Sequence, residues 1–323
     1  MKTWRIRLQP NSPWVTPWHA DSLFGSICWR WSWLWPDSFL SILSRFSRID
    51  DIPPFLISDA FIGDLLPLPL HTLLPSTGDQ GSQGQKRKWK PPLYIQEKDF
   101  LRLSRNEDVT PLHVYSSQVQ GNSRLQSAEN RETGRSADGA LFETACQFMP
   151  SVPSCQVKKD NLSETTPFEG REPYFTVYLR TENYLDQLMQ CFRALAYTGF
   201  GKKSSSGLGA FSILGEPEPC SWLDEMPDAN GFISLSHFVP STTDPIDGWW
   251  RVQVSHPKFH ANEVTGVFKG IIMRLTPGSS FRLLTPYRPW YGSMLPIPRP
   301  EMQQALHYAL CFPVPFHIPL TTI

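Results

Sequence analysis

The chain has little charge and no excess of either sign. Its 323 residues carry 30 Lys+Arg and 30 Asp+Glu, and charged residues make up only 19%, below the roughly 25% of an average soluble domain. Zero net charge excludes a histone-like protein but leaves room for a local basic patch. Cysteines are few and scattered: Cys28, Cys146, Cys155, Cys191, Cys220 and Cys311 form no CxxC pair. That spacing argues against a zinc site and a disulfide framework, and it fits free thiols in a reducing cytoplasm. No apolar run approaches the ~18–20 residues of a membrane span. The best stretch, residues 23–43, is broken by Arg30, Pro36, Asp37 and several serines. The opening MKTWRIRL is too short and too charged for a secretory signal. Catalytic signatures are missing as well, since there is no GxSxG elbow and no HExxH.

Proline and aromatic residues are abundant instead, with 31 Pro, 12 Trp and 20 Phe. So much proline argues against a helical bundle, because each one removes a backbone donor and breaks a helix interior. Many aromatics with few charges predict large buried surfaces, some of them between subunits. Trp29, Trp31, Trp33 and Trp35 alternate in a predicted helix, where successive odd positions turn by about 200°, so they cannot all face one core.

Residues 3–8 alternate, with Trp4, Ile6 and Leu8 on one face and Arg5 and Arg7 on the other, as in a half-buried strand. A Pro-rich turn follows at 10–17. Leu23, Ile27, Trp31 and Leu34 then fall at helical spacing and predict a helix over 21–35, stopped by Pro36. Periodicity is poor from 50 to 172. Within it, residues 78–92 read as a mobile polar and basic loop, and residues 124–139 as an exposed hairpin or loop. Order resumes with a strand at 174–179 and a helix marked by Leu185, Leu188, Phe192, Leu195 and Ala196. A Gly/Ser/Lys loop and a strand at 210–214 complete the pattern.

Two strand–helix halves separated by an insertion predict an α+β, ferredoxin-like (RRM-like) domain over 1–215, with a thumb region inserted at about 50–172. Residues 215–230 read as a linker. The strand candidates beyond it predict a second, mostly β, ferredoxin-like domain over 216–323.

The loop GFGKKSSSGLG at 199–209 offers four glycines, two lysines and three hydroxyls. Gly199, Gly201, Gly207 and Gly209 permit tight turns and close approach of a phosphate. Lys202 and Lys203 supply charge, and Ser204, Ser205 and Ser206 supply donors. It is neither a P-loop nor a dinucleotide loop, because it follows a helix and lacks the required glycine spacing. Composition leaves two readings open: a site for backbone phosphates and a plain flexible turn. His19 can be a general base, a capping residue or an RNA contact, and Asp21 is its nearest carboxylate in sequence. His256 and His260 stand four apart, but Pro257 opposes a metal-binding helix. No metal and no cofactor is expected. Arg124, Arg131 and Arg135 surround a turn where they could grip a sugar-phosphate backbone, and a solvated loop fits as well.

Several segments, in order, resemble the RAMP superfamily of CRISPR RNA-binding proteins. The nearest group is subunit four of the type III-A Csm effector complex. SPWVTPWHADSLFGSICW is similar to that group's N-terminal signature over 16–29, although Trp18 stands where a smaller aliphatic residue is usual. NRETGRSADGALFE (130–143) resembles its thumb segment, and GFGKKSSSGLGAFSI (199–213) its Gly-rich loop and closing strand. LSHFVPS, FKGIIMRLTPGSSF and the ending HYALCFPVPFHIP resemble later segments. The resemblance implies a non-catalytic subunit that caps the 5′ handle of crRNA in a prokaryotic cytoplasm. Its RNA contacts would come from His19, Ser22, the three thumb arginines and the Gly-rich loop. Its implied partners are crRNA, the large signalling subunit, the first backbone RAMP subunit and target RNA near the handle–guide junction. A competing expectation within the superfamily is an endoribonuclease that processes precursor crRNA with His19 as base.

Overall fold

The structure is a computed structural model. It describes residues 1–46, 51–73, 93–110, 112–116, 119–130, 133, 135–149, 155–156, 172–224, 226, 228–257, 269–297 and 306–319. The predicted loop at 78–92, Arg131 and His260 lie outside the described residues.

The first strand, β1 (Lys2–Pro10), is longer than predicted. Helix α1 (Ala20–Leu34) follows the Pro-rich turn. Pro36 ends α1 and also opens a second helix, α2 (Pro36–Phe46), where a residue without an N–H belongs. Phe39, Ile42, Leu43 and Phe46 turn the inner face of α2 toward the core. Short strands β2 (Phe55–Ile57), β3 (Phe61–Ile62), β4 (Leu65–Pro67) and β5 (Leu93–Gln96) lead to α3 (Glu97–Ser104) and β6 (Val114–Ser116). Strands β7 (Gln120–Asn130) and β8 (Arg135–Phe148) form a long hairpin, and β9 (Cys155–Gln156) is brief. Then come β10 (Phe175–Thr181), α4 (Leu185–Thr198) and β11 (Phe211–Pro219).

The main sheet runs β11-β1-β10-β2, and every pairing along it is antiparallel. With the crossovers through α1 and α4, this is the ferredoxin-like β-α-β-β-α-β arrangement. Of the predicted stripe on α4, Leu188, Phe192 and Leu195 are buried and Leu185 and Ala196 are half-buried against the core, with Met189 and Cys191 buried beside them. On α1, Trp31 is buried and Trp35 half-buried, while Trp29 and Trp33 stay on the outer face.

The sheet is covered on both faces, since all seven residues of β10 are buried. Arg5 and Arg7, predicted on an outward face, are enclosed with Glu218, Asp64 and, for Arg5, Glu97 of α3. Buried guanidinium groups need such partners, because an unpaired charge out of water is costly. The insertion is therefore not the irregular segment its weak periodicity predicts: it carries α3 and a four-stranded sheet, β4-β5-β6-β9.

The linker expected at 215–230 is also corrected. β11 continues to Pro219, bulging past Gly215 so that Glu218 pairs with Arg5. The Cys220 N–H then donates to the Thr3 carbonyl at 2.8 Å. Leu223 is fully buried. Pro and acidic composition here serves a sheet edge, where proline costs no ladder bond and carboxylates meet arginines.

Beyond it lie β12 (Gly231–Ser234), β13 (Gly248–Trp249), β14 (Val252–Ser255), β15 (Ile272–Leu275) and β16 (Ser280–Arg282). A sheet runs β13-β16-β12 and ends on the strand Pro313–Phe316. The described residues of 216–323 are strands, turns and one 3-10 segment, with no α-helix among them. They support the mostly β expectation, while the ferredoxin-like topology is seen in the first half alone.

The two halves share one hydrophobic core: Ile233, Leu235, Phe312, Val314 and Phe316 belong to the same cluster as Ile6, Leu23 and Phe192. Arg180 of β10, 2% exposed, pins them together. Its guanidinium meets Asp224 at 3.0 Å, donates to Pro313 O at 2.9 Å and Leu223 O at 3.1 Å, and lies over the Phe312 ring. Cys28, Cys146, Cys191, Cys220 and Cys311 are free thiols. No helix among the described residues is long and apolar enough to cross a membrane.

Candidate nucleic-acid interface

Helix α4 ends at Thr198, and Gly199 takes a positive φ of 79° that breaks the helical hydrogen-bond pattern. The following loop is built on two buried apolar anchors, Phe200 and Leu208. Phe200 packs against Trp18 at 4.5 Å, and Trp18 also meets Phe175 and Phe211. The tryptophan that departs from the family signature thus fills the space beneath the loop.

Between these anchors the backbone rises into a short 3-10 turn, Ser204–Ser206. Lys203 adopts the left-handed conformation at φ 66°. A non-glycine residue there is strained and persists only where the surroundings hold it. Lys202, Ser205, Ser206 and Gly207 are exposed at the crest, with Lys203 and Ser204 half-buried beside them. Gly209 closes the loop where nothing larger fits. Its φ is +73°, and a Cβ would lie 2.0 Å from the Phe200 carbonyl oxygen. The loop is thereby held at both ends, with two lysines and three hydroxyls along its crest.

What fixes the crest is the Pro-rich turn after β1. The Phe200 N–H donates to Gly209 O, and the Gly209 N–H to Pro13 O, both at 2.8 Å. The Ala210 N–H donates to Ser12 Oγ and the Lys202 N–H to Thr16 Oγ1, both at 2.9 Å. Sequence reasoning missed Ser12 and Thr16. The available signal was a pair of hydroxyl residues in a Pro-rich turn, too far from α1 to cap it.

The same turn reaches the hairpin. Trp14 and Gln147 of β8 exchange two backbone hydrogen bonds, and Trp14 Nε1 donates to Gln147 Oε1 at 3.0 Å. Above that point β7 and β8 pair with each other, with Arg124 opposite Thr144 and Asn130 opposite Arg135. The expected hairpin is present, and residues 121–125 of its first strand are exposed. Arg124 is exposed on β7, and Arg135 lies on β8. The structure thus brings the Gly-rich loop and the base of the hairpin to one mount.

His19 and Ser22 sit elsewhere, at the start of α1. Ser22 is half-buried in the first turn and its N–H donates to the His19 carbonyl. The helix takes its N-terminal acceptor from another element: the Ala20 N–H donates to Asp59 Oδ1 at 2.9 Å. A carboxylate there offsets both an orphan N–H and the helix dipole. The other Asp59 oxygen lies 2.5 Å from His237 Nδ1. Burial opposes ionisation, but the His237 ring and the Ala20 N–H hold the Asp59 carboxyl well below the usual carboxylate range. His19 lies tilted against His237, with ring centroids 4.4 Å apart, and its Nδ1 faces Arg274 Nη2 at 2.9 Å. Arg274 also meets Asp21 at 3.1 Å. Burial, then the neighbouring His237, push His19 down to about 4.

Among the described residues His19, Asp59 and His237 are close enough to hold a metal ion, their ligand atoms lying within 4.8 Å of one another. The chemistry does not fit. Arg274 is permanently cationic and occupies the Nδ1 lone pair of His19, which leaves the proton of the neutral ring on Nε2. Asp59 is already committed to His237 and Ala20.

A scan against protein-family models and a search of curated proteins return no match. Solved structures do match over the whole chain. A chain of the Csm1–Csm4 cassette crystal structure in complex with pppApA gives a TM-score of 0.55 at 16% identity, covering 99% of this chain and 100% of that one. The cassette in complex with cA4 gives the same values. A chain of the Csm3–Csm4 subcomplex in the type III-A CRISPR-Cas interference complex gives 0.52 at 13% identity, covering 98% and 100%. At these identities the likeness is one of fold, and it extends from end to end.

Proposed function

We propose that this chain is a non-catalytic, crRNA-binding subunit of a type III CRISPR effector complex of the Csm type, acting in the cytoplasm of a prokaryote. The observation that carries the reading is the shared mount. Two elements whose residue types suit a sugar-phosphate backbone are fixed side by side on a fold shared along its length with a chain of type III-A assemblies. The component common to the Csm1–Csm4 and Csm3–Csm4 assemblies is Csm4. By that analogy the partners are a large subunit on one side and a backbone subunit on the other.

In this reading the crest holds phosphates of the 5′ handle through Lys202, Lys203 and the serine hydroxyls. The hairpin serves as the thumb at the handle–guide junction, close to target RNA, with Arg124, Arg131 and Arg135 able to pair with phosphates and stack on unpaired bases. The ferredoxin-like sheet is not the RNA platform, because both of its faces are covered.

The endoribonuclease alternative asks His19 to be a base. A general base works best with a pKa near the operating pH, and His19 is held at about 4 with Nδ1 facing Arg274. His19 and Ser22 lie at the start of α1, apart from the mount, and in this reading neither contacts RNA.

The test replaces both lysines. Lys202→Ala with Lys203→Ala should weaken binding of labelled repeat RNA and lower the slope of log affinity against log salt by about one to two. Unchanged affinity and slope would refute the reading. Cleavage of that RNA by the wild type, lost in His19→Ala, would replace it with the enzyme.

A further inference from the structure

The shared mount has a geometry that the RNA-binding reading does not by itself require. On one side, the turn takes hydrogen bonds from Lys202, Gly209 and Ala210 through Thr16, Pro13 and Ser12, and the Asn11 N–H donates back to Ala210 O at 2.8 Å. On the other side, the hairpin meets the turn at a single β-bridge, Trp14 with Gln147. The Trp14 N–H donates to Gln147 O at 2.9 Å, the Gln147 N–H returns to Trp14 O at 2.7 Å, and the indole N–H adds the third bond.

Trp14 cannot yield. It is 2% exposed, and its ring lies edge-on to Phe175 of β10, with centroids 5.3 Å apart. It stands next to Pro13, whose ring fixes φ. An indole is a donor only, so its N–H on the Gln147 amide oxygen selects one amide orientation and one hairpin angle. Arg124 pairs with Thr144, three residues from Gln147 along β8, or about 10 Å at strand rise. A small rotation at the bridge therefore becomes a displacement of several ångströms further along the hairpin.

We infer that Trp14 and Gln147 are positioning residues: their side-chain bond sets the angle of the hairpin to the Gly-rich loop, and with it the spacing between two groups of RNA contacts. Neither residue touches RNA in this scheme. The inference rests on the RNA-binding reading, and it makes a different demand on experiment. Losing a phosphate contact lowers the salt slope. Losing a preset angle weakens affinity by the cost of reorganisation and leaves the slope unchanged.

The experiment uses the full chain and labelled repeat RNA at several salt concentrations, with Gln147→Ala, Trp14→Phe, the double variant and the double-lysine variant. Gln147→Ala and Trp14→Phe should each weaken binding about fivefold, the equivalent of one ordinary hydrogen bond, at wild-type slope. The double variant should be no worse than either single one, because both remove the same bond. Hydrogen exchange in the free chain should rise at the base of β7 and β8 in the single variants and stay unchanged at Gly209. This readout holds even where RNA affinity falls for another reason.

Wild-type affinity in both single variants, with the double-lysine variant impaired, would overturn the inference and leave the RNA-binding reading standing. A reduced slope in Gln147→Ala would overturn it too, making Gln147 a direct contact. No effect from any variant, the lysines included, would remove the RNA-binding reading itself.

Discussion

The Gly-rich loop and the β7–β8 hairpin look alike in sequence and are opposites in structure. Both are polar, both contain glycine, serine and basic residues, and both resist periodicity analysis. The loop is clamped: Phe200 and Leu208 are buried at its ends, and Ser12, Pro13 and Thr16 accept its N–H groups. The hairpin pairs with itself, meets the turn at one bridge, and exposes Arg124 and 62% of Leu125. Polar composition therefore does not report rigidity. Large apolar residues at the ends of a polar segment, and hydroxyl acceptors in a neighbouring turn, do so better.

The strongest way to break the contrast is to destroy the clamp. In Gly209→Val the new Cβ meets the Phe200 carbonyl in a left-handed backbone, and the loop cannot close. A loss of about 3 kcal/mol or more is expected in denaturant unfolding, with RNA retention lost in parallel. Gly207→Val is the control. Gly207 shares the positive φ, +79°, but a Cβ there finds no atom within 4 Å. It should cost about 1–2 kcal/mol from backbone strain alone and leave the crest partly able to hold RNA. Equal losses would show that the clamp is not what fixes the loop.

Acid attacks the clamped region by another route. His19, three residues past Thr16, is neutral in the fold at about 4 against an ordinary value of 6.5. It faces Arg274 and His237, with Asp59 and Asp21 as the nearby carboxylates. The unfolded chain binds the extra proton between those values, so stability rises with pH across the window and falls as pH drops from 6.5 toward 4. The full effect is on the order of 2–3 kcal/mol for this one histidine. His19→Gln should reduce the slope of the stability-against-pH curve there without abolishing it, because burial also pushes His71 and His307 down to about 4. A wild-type curve already flat from pH 6.5 to 4 would contradict the assignment.

Thr16→Val gives a smaller and more local effect. It removes the acceptor of the Lys202 N–H and keeps the side chain's shape. About 1 kcal/mol is expected, appearing as faster amide exchange at Lys202 with unchanged exchange in β7.

How much of this was legible depends on whether a residue's role is local. β1, α1, β10 and α4 declared themselves because each buries a stripe of its own period, and together they fix the ferredoxin-like half. α2 was missed although Phe39, Ile42, Leu43 and Phe46 form its inner face, because Pro36 reads as a stop when it is also a start. The linker was misread because Glu218 and Asp224 resemble solvated acids until Arg5, Arg7 and Arg180 come from distant strands to meet them. The Gly-rich loop was found as a motif, while its rigidity depends on Ser12 and Thr16, nearly two hundred residues away in sequence. The His19 surroundings could not be read at all, since Asp59, His237 and Arg274 come from three separate segments.

The smallest expected effect belongs to the hairpin. Leu125 is 62% exposed, so Leu125→Ser removes almost no buried apolar area and should change unfolding free energy by less than about 0.5 kcal/mol. Arg124→Ala should be equally silent in the free chain, since its side chain is exposed on a strand that, among the described residues, pairs with β8 alone. In the presence of crRNA the two variants should part. Arg124→Ala should lower the salt slope by up to about one, and Leu125→Ser should leave it alone. Amide exchange in β7 and β8 above the bridge should be fast in the free chain, because there, among the described residues, the two strands pair with each other alone, and a two-stranded ribbon is marginal by itself. It should slow when crRNA is added, while exchange at Gly209 is slow throughout. Strong protection of β7 in the free chain would make the hairpin a structural element as fixed as the loop, and the difference between the two regions would disappear.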